Sequence, residues 1–426
     1  MLDKIKRNPY FFFLPFLCYY LFFIFRHRYY QLYGDEARYI GFAQNLFHGF
    51  YSPPLPNINL WNGPGYPLLL MPFMVLPIPP IYLSLPNALF LYLSVVFLYQ
   101  SCALLTSKKV ALFFALLWAF YPDMIQMSLS VLTEVFTSFL IAAFLYAVTL
   151  FYKNRLKKHL VLAGLILGFL ALTKVIFGYV LVICLLAALI TVIIKPWRKS
   201  ALNSIYMVMI AFIVTAPYLF YTYKLTHKVF YWGNSGGMSL YWMSTPFNGE
   251  YGDWKEDHLF NSTFPTEYGT RQGDSLLRKN HQQDIDHINK YFGVQRDSAY
   301  KAIAILNIKQ HTKKYMHNYY YNLSRMFFDF PYSYYYHSST EITNILIGSL
   351  LLWSSVIGLA ISMINFKVLI YPVKLCLLIT AVYLLFTGAL SAYPRQLDII
   401  VPALFFWLAF ITDKVLVGEF KRSRRA

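Results

Sequence analysis

After Asp3, the first 249 residues hold only four carboxylates: Asp35, Glu36, Asp123 and Glu134. Their neighbours are Phe, Leu, Tyr, Ile and Val. A membrane-embedded chain keeps an acid in or near hydrocarbon only where something compensates the cost. Each of the four is therefore a functional candidate, able to accept a proton in catalysis or to form part of a charged pathway. Two cations join them at the ends of apolar runs, Lys174 in LALTKVIFGYV and Arg395 in SAYPRQLD. A bound anion would explain both. The plain alternatives are snorkelling for Lys174 and an interfacial cation for Arg395.

Local context separates the acids. The stretch after Asp35 and Glu36 puts Ala37, Ile40, Ala43, Leu46, Phe47 and Phe50 on one stripe, an amphipathic helix closed by Gly49. Asp35 could be its N-cap and Glu36 a favourable first-turn charge. We read Asp35 as functional and leave Glu36 open between the two roles. Asp123, in YPDMIQ, is either functional or an interfacial acid at a helix end. Glu134, in SVLTEVFTSFL, lies about two turns into an apolar run and needs a partner or a cavity at that depth. Its alternative is a structural hydrogen bond between helices, with Thr133 and Thr137 beside it.

These residues must be positioned by membrane helices. The chain is 58% hydrophobic and 13% charged, about half the charge of a soluble domain. Its net charge of +18 would suggest nucleic acid in a soluble protein. Here the basic residues fall in short loops between apolar runs, so orientation explains them and no nucleic-acid partner is expected. Cys18, Cys102, Cys184 and Cys376 all lie inside apolar runs, and none is spaced for zinc. The N-terminal run from Tyr10 to Phe25 has no small-residue cleavage site after it and reads as a retained span.

The expected fold is an all-α polytopic membrane bundle of about ten spans, near 10–26, 82–105, 109–122, 128–152, 160–175, 177–194, 203–223, 342–363, 369–389 and 398–413. With a cytoplasmic N-terminus, the inside loops carry Lys4, Lys6, Arg7, Lys108, Lys109, Lys153, Arg155, Lys157, Lys158, Lys195, Arg198, Lys199, Lys367, Lys414 and the tail cations Lys421, Arg422, Arg424 and Arg425. That is a positive-inside pattern. The clear inside acids are Asp3, Asp413 and Glu419, and Lys174 and Arg395 fall outside. Gly65 to Pro80 is short and broken by five prolines. It is placed as an interfacial or re-entrant segment, because a full crossing would invert every later loop.

The expected domains are a catalytic membrane module over 1–223, with an external loop at 26–82, an external segment over 224–341, and C-terminal helices with a basic tail over 342–426. The external segment has a turn region at Gly233 to Gly237 and helical patterns near 274–292 and 297–328. Ala302, Ile303, Ile305, Leu306 and Ile308 give the second pattern an apolar side. Asp284-Ile285-Asp286 matches a metal-binding D-x-D, a short and weak signal. His27, His48 and His337 form no metal spacing. The aromatics Tyr319, Tyr320, Tyr321, Phe327, Phe328, Tyr332, Tyr334, Tyr335 and Tyr336 read as an interfacial belt, with a sugar-stacking platform as the lesser alternative.

Three motifs, GDEARYIGFAQNLFHGFY, NGPGYPLLLMPF and YPDMIQMSLSVLTEVF, resemble the bacterial branch of the protein O-mannosyltransferase-like superfamily. These are glycosyltransferases of the GT-C fold, related to lipid A aminoarabinose transferases. AILNIKQHTKKYMHNYYYNLSRMFF and PRQLDIIVPALFFWLAF resemble the family's late external helix and last span. The resemblance implies sugar transfer from a polyprenyl-phosphate donor to an acceptor hydroxyl on the non-cytoplasmic face. Asp35 would be the catalytic general base with Glu36 beside it. Asp123 and Glu134 would form a second acidic region, and Lys174 and Arg395 would contact the donor phosphate. Arg38, Tyr39, Asn62 and Tyr66, in the same motifs, are expected to line the donor and acceptor groove. Relatives often carry Lys or His where this chain has Asn62-Gly63, which puts phosphate binding there in doubt.

Direct displacement with inversion is expected, with a lipid, glycan or protein as acceptor. A divalent metal could bridge acids and phosphate, but the sequence shows none. The expected location is a bacterial inner membrane with the site facing the periplasm or exterior. Two rival readings are a flippase or transporter for lipid-linked sugars, and an external glycan polymerase or ligase.

Overall fold

A computed structural model describes residues 8–27, 31–32, 34–255, 271–335 and 341–416. Asp3, Lys4, Lys6, Arg7, Tyr336, His337, Glu419, Lys421, Arg422, Arg424 and Arg425, named above, lie outside the described residues. In chain order the helices are α1 (Pro9–His27), α2 (Asp35–Phe47), α3 (Gly65–Leu70), α4 (Pro86–Leu105), α5 (Lys108–Ala119), α6 (Pro122–Met127), α7 (Thr133–Asn154), α8 (Lys157–Thr173), α9 (Ile176–Thr191) and α10 (Arg198–Thr226). They continue with α11 (Gly236–Met243), α12 (Arg271–Ile288), α13 (Gly293–Gln310), α14 (Thr312–Phe328), α15 (Glu341–Ile364), α16 (Tyr371–Gly388), α17 (Pro394–Asp398) and α18 (Val401–Ile411). No strand occurs among the described residues.

The chain is an all-helical integral membrane protein. Among the described residues, six helical stretches are long and apolar enough to cross a bilayer: α1, α4 with its lead-in from Tyr82, α7, α10 with its lead-in from Lys195, the Asn344–Ile364 part of α15, and α16. The other four expected spans are also helical, but α5, α8, α9 and α18 have only 12, 17, 16 and 11 residues. At about 1.5 Å per residue they fall short of a hydrocarbon core of roughly 30 Å. Helix α7 is central, with 78% of its apolar window buried, whereas α1 and α15 are peripheral at 17% and 22%. It packs on α4 and α8, and α8 packs in turn on α10.

The proline-broken segment forms α3 and a following turn of 3-10 helix, Met71–Val75. It lies against α2 and α8. Close approach is possible because the loop before it is glycine-bearing. A Cβ on Gly63 would stand 2.1 Å from the Leu172 carbonyl oxygen, and one on Gly65 would stand 2.5 Å from Thr173 Oγ1.

Two helical faces differ from expectation. On α2 the buried residues are Glu36, Tyr39, Ile40, Phe42 and Ala43. Ala37, Phe47 and Phe50 are exposed. Ile40 and Ala43 keep the middle of the expected stripe inside, and Glu36, Tyr39 and Phe42 join them on the buried face. The pattern near 297–328 is two helices, α13 and α14, broken at His311. The expected apolar side of α13 is split: Ile305 and Leu306 are about half exposed, Ile303 packs inward, and the buried face carries Asp297, Tyr300 and Ala304. Asp297 accepts from Gly237 N at 2.7 Å, Lys301 Nζ at 2.7 Å and Tyr231 Oη at 3.1 Å. Helices α11, α12 and α13 enclose a second small core of Met238, Tyr241, Trp242, Leu277, Ile285 and Ile288. Trp61 packs against both this core and the main one.

Candidate active site

Asp35 is the first residue of α2, and the N-cap position belongs to Gly34. The carboxylate is therefore not spent on capping. Its Oδ1 accepts from Arg38 Nη1 at 2.7 Å, and its Oδ2 accepts from Arg395 Nη2 at 3.0 Å. The side chain remains 25% exposed. Arg38 lies over the Trp61 ring, 5.0 Å from its centroid.

Glu134 is buried in the first turn of α7. Its Oε1 accepts from Lys174 Nζ at 2.9 Å and lies 3.9 Å from Arg395 Nε, while Oε2 accepts weakly from Thr133 Oγ1 at 3.4 Å. Lys174 occupies the two-residue break between α8 and α9, where an extended backbone ends α8. That placement brings it opposite the start of α7. Arg395 links the two carboxylates, so Asp35, Arg38, Glu134, Lys174 and Arg395 form one cluster with one net positive charge.

Around it, Asn62 Nδ2 donates to Tyr39 Oη at 2.9 Å, and the Tyr39 and Tyr66 rings meet edge to face at 5.3 Å. Tyr39 and Tyr66 are buried, so they back the cluster. Glu36 turns the other way, and its Oε1 accepts from Val131 N at 2.7 Å. That bond ties α2 to the loop that enters α7.

Asp123, expected to share a second acidic region with Glu134, sits on α6 in an acidic group with Tyr121, Asp398 and Asp329, while Glu134 pairs with Lys174; Asp398 feels the charges of both Asp123 and Glu134. Burial raises the Asp123 carboxyl above the ordinary range; a Tyr121 hydrogen bond opposes this and the Asp329 charge adds to it. Tyr121 Oη donates to the buried Asp398 Oδ1 at 2.7 Å. Asp398 was not among the sequence candidates, because it reads as the first residue of the last span. The D-x-D residues are separated too. Asp284 accepts from Tyr241 Oη at 3.1 Å and Asp286 accepts from Gln282 at 2.8 Å, with Ile285 buried between them. No three His, Cys, Asp or Glu side chains among the described residues group so as to hold a metal.

Residues 80–221 match the family described as dolichyl-phosphate-mannose-protein mannosyltransferase. This stretch includes Asp123, Glu134 and Lys174 and leaves out Asp35 and Arg395. No curated protein matches the chain in sequence. Among solved structures, the apo oligosaccharyltransferase of Archaeoglobus fulgidus is similar at a TM-score of 0.50 and 13% identity, over 96% of this chain and 52% of that one. The fold is of the GT-C type. The archaeal oligosaccharyltransferase AglB of the same organism, in complex with an inhibitory peptide and a dolichol-phosphate, aligns at a TM-score of 0.49 and 15% identity, over 99% of this chain and 52% of that one. ArnT from Cupriavidus metallidurans, bound to undecaprenyl phosphate, aligns at 0.40 and 13%, over 93% of this chain and 77% of that one. The chain spans about half the length of the oligosaccharyltransferase structures it matches. Within this GT-C-type fold, the cluster is built from α2, the start of α7, the α8–α9 break and α17.

Proposed function

We propose that this protein is a membrane glycosyltransferase that moves a sugar from a polyprenyl-phosphate carrier to an acceptor hydroxyl. The observation that carries this reading is a carboxylate, Asp35, that shares Arg395 with the Glu134–Lys174 pair. The surplus positive charge suits a phosphate anion. Lys174 and Arg395 would hold that phosphate and stabilise the charge that grows on it as the sugar departs.

The chemistry balances with side chains alone. The acceptor oxygen forms a bond to the anomeric carbon while its proton passes to Asp35. The bond from that carbon to the phosphate oxygen breaks, and its electron pair stays on the phosphate. A single displacement of this kind inverts the anomeric centre. Arg38, Trp61 and Asn62 are read as the groove wall beside Asp35, with the buried Tyr39 and Tyr66 behind them.

The family match over 80–221 supports the donor class. Topology supports the side. Glu134 begins α7 and Lys153 is near its other end; Lys174 follows α8 and Lys157 and Lys158 begin it. The cluster thus lies at the helix ends opposite the basic loops, and by the positive-inside rule we read that end as the non-cytoplasmic one. We place the enzyme in a bacterial inner membrane, with residues 224–341 outside as a polar cap.

The test is transfer of labelled sugar from a polyprenyl-phosphate donor in proteoliposomes. Asp35→Asn is expected to keep expression and fold and to lose about 10²–10⁴-fold in turnover. A fully active variant would remove Asp35 as the base. Movement of the donor across the bilayer with no glycosidic bond formed would replace transfer by transport.

A further inference from the structure

The turn that leads to Arg395 is held by a segment far from it in sequence. Helix α16 ends at Gly388, and a helix end leaves its last carbonyls without partners inside the helix. The turn that follows, through Tyr393, leads into α17. It is held by two fully buried side chains of α14, Asn322 and Arg325.

Asn322 Nδ2 donates to the carbonyls of Thr387 at 3.4 Å, Gly388 at 2.9 Å and Leu390, and its Oδ1 accepts from Ala392 N at 2.9 Å. Arg325 Nε donates to the Ala392 carbonyl at 3.0 Å. Its other nitrogens donate to Pro331 O at 2.6 Å, Tyr251 O at 3.3 Å and Asn322 Oδ1 at 2.9 Å. Further bonds tie the turn to the same segment: Tyr315 Oη to Ala389 O at 3.0 Å, Ser391 Oγ to Gly252 O at 2.8 Å, and Tyr393 Oη to Trp254 O at 2.9 Å. Two residues beyond this fixed turn is Arg395.

We propose that Asn322 and Arg325 are positioning residues for Arg395, so that the polar segment sets the geometry of the anion site. The inference rests on the reading of Arg395 as a ligand of the donor phosphate. A shift of about 1 Å in such a group costs on the order of 10²-fold in rate. Loss of the latch therefore weakens the site without removing any group that touches substrate.

The test is a double-mutant cycle on the purified full chain, reading the binding of a long-chain polyprenyl phosphate alongside thermal unfolding. Residues that act through a shared partner give non-additive effects. Asn322→Ala is expected to weaken binding roughly 10-fold in the native background and by less than about 2-fold when Arg395→Ala is already present. Arg325→Lys keeps the charge beside Asp253 and loses the forked donors; it gives a second cycle should Asn322→Ala not fold, with the same expected pattern. Equal losses in both backgrounds would overturn the latch and leave the proposed function standing. Unimpaired binding by Arg395→Ala alone would refute the phosphate role and overturn both.

Discussion

Asp35 and Glu36 are neighbours on one helical turn, yet their partners give them different work. Asp35 faces two guanidinium groups and solvent, whereas Glu36 is buried against a backbone amide of the loop before α7. Glutamine can accept that amide bond through its carbonyl oxygen, so Glu36→Gln is expected to retain transfer to within a few-fold in the proteoliposome assay. Glu36→Ala leaves the Val131 N–H without this acceptor and should cost about 1–3 kcal/mol in a denaturation series. The scarcity of acids in an apolar sequence picked out Asp35 and Glu134, the placing of cations at the ends of apolar runs picked out Lys174 and Arg395, and these four do converge. Asp123 obeyed the same rule and lies elsewhere, because scarcity marks expense and says nothing of which expensive groups meet. Asn322 and Arg325 left a different trace. With Asn318 they stand at helical spacing on α14, a polar stripe that normally faces water. Here the stripe is inside, and Tyr320 is 69% exposed.

At the scale of elements, the first loop and the α8–α9 break fit together through missing side chains. Gly63→Ala would drive a Cβ into the Leu172 carbonyl, a backbone atom that cannot rotate aside. The junction that carries Lys174 would have to move. A destabilisation of about 1–3 kcal/mol is expected, together with a rise in donor KM larger than the fall in kcat, read from initial rates at varied donor. The apolar runs made the six helical stretches long enough to cross a bilayer legible, since 18 or more oily residues have few alternatives in a chain like this. Helix faces were less legible. The stripes on α2 and α13 were drawn from apolar side chains alone; part of each lies outside, and the hydrogen-bonded Tyr39 and Asp297 lie inside.

At the scale of the whole molecule, two buried carboxylates, Glu250 and Asp253, form ionic pairs away from the membrane-spanning helices. Burial pushes the Glu250 carboxyl up, but its His281 hydrogen bond at 2.8 Å and the His281 charge, with Thr245 and Asn280, hold it below the ordinary range. Burial likewise opposes ionisation of Asp253, and Lys255 at 2.7 Å with Arg325 outweighs it. Both pKa values are depressed in the folded chain, so the unfolded state binds more protons on acidification. Their stabilisation is present above the unfolded value of about 4 and is lost as pH falls through the folded values. The unfolding temperature is expected to drop steeply between about pH 5 and about pH 3, with a shallower drop in Glu250→Gln, as followed by circular dichroism.

Helix α17 is five residues long and carries Arg395 near its start and Asp398 at its end. Arg395 contacts Asp35 and lies near Glu134, and Asp398 accepts from Tyr121. One short pivot therefore bridges a cationic nest and an acidic one. Only one helical turn separates the two side chains, so a substitution that shifts this turn at one nest is expected to disturb the contacts at the other.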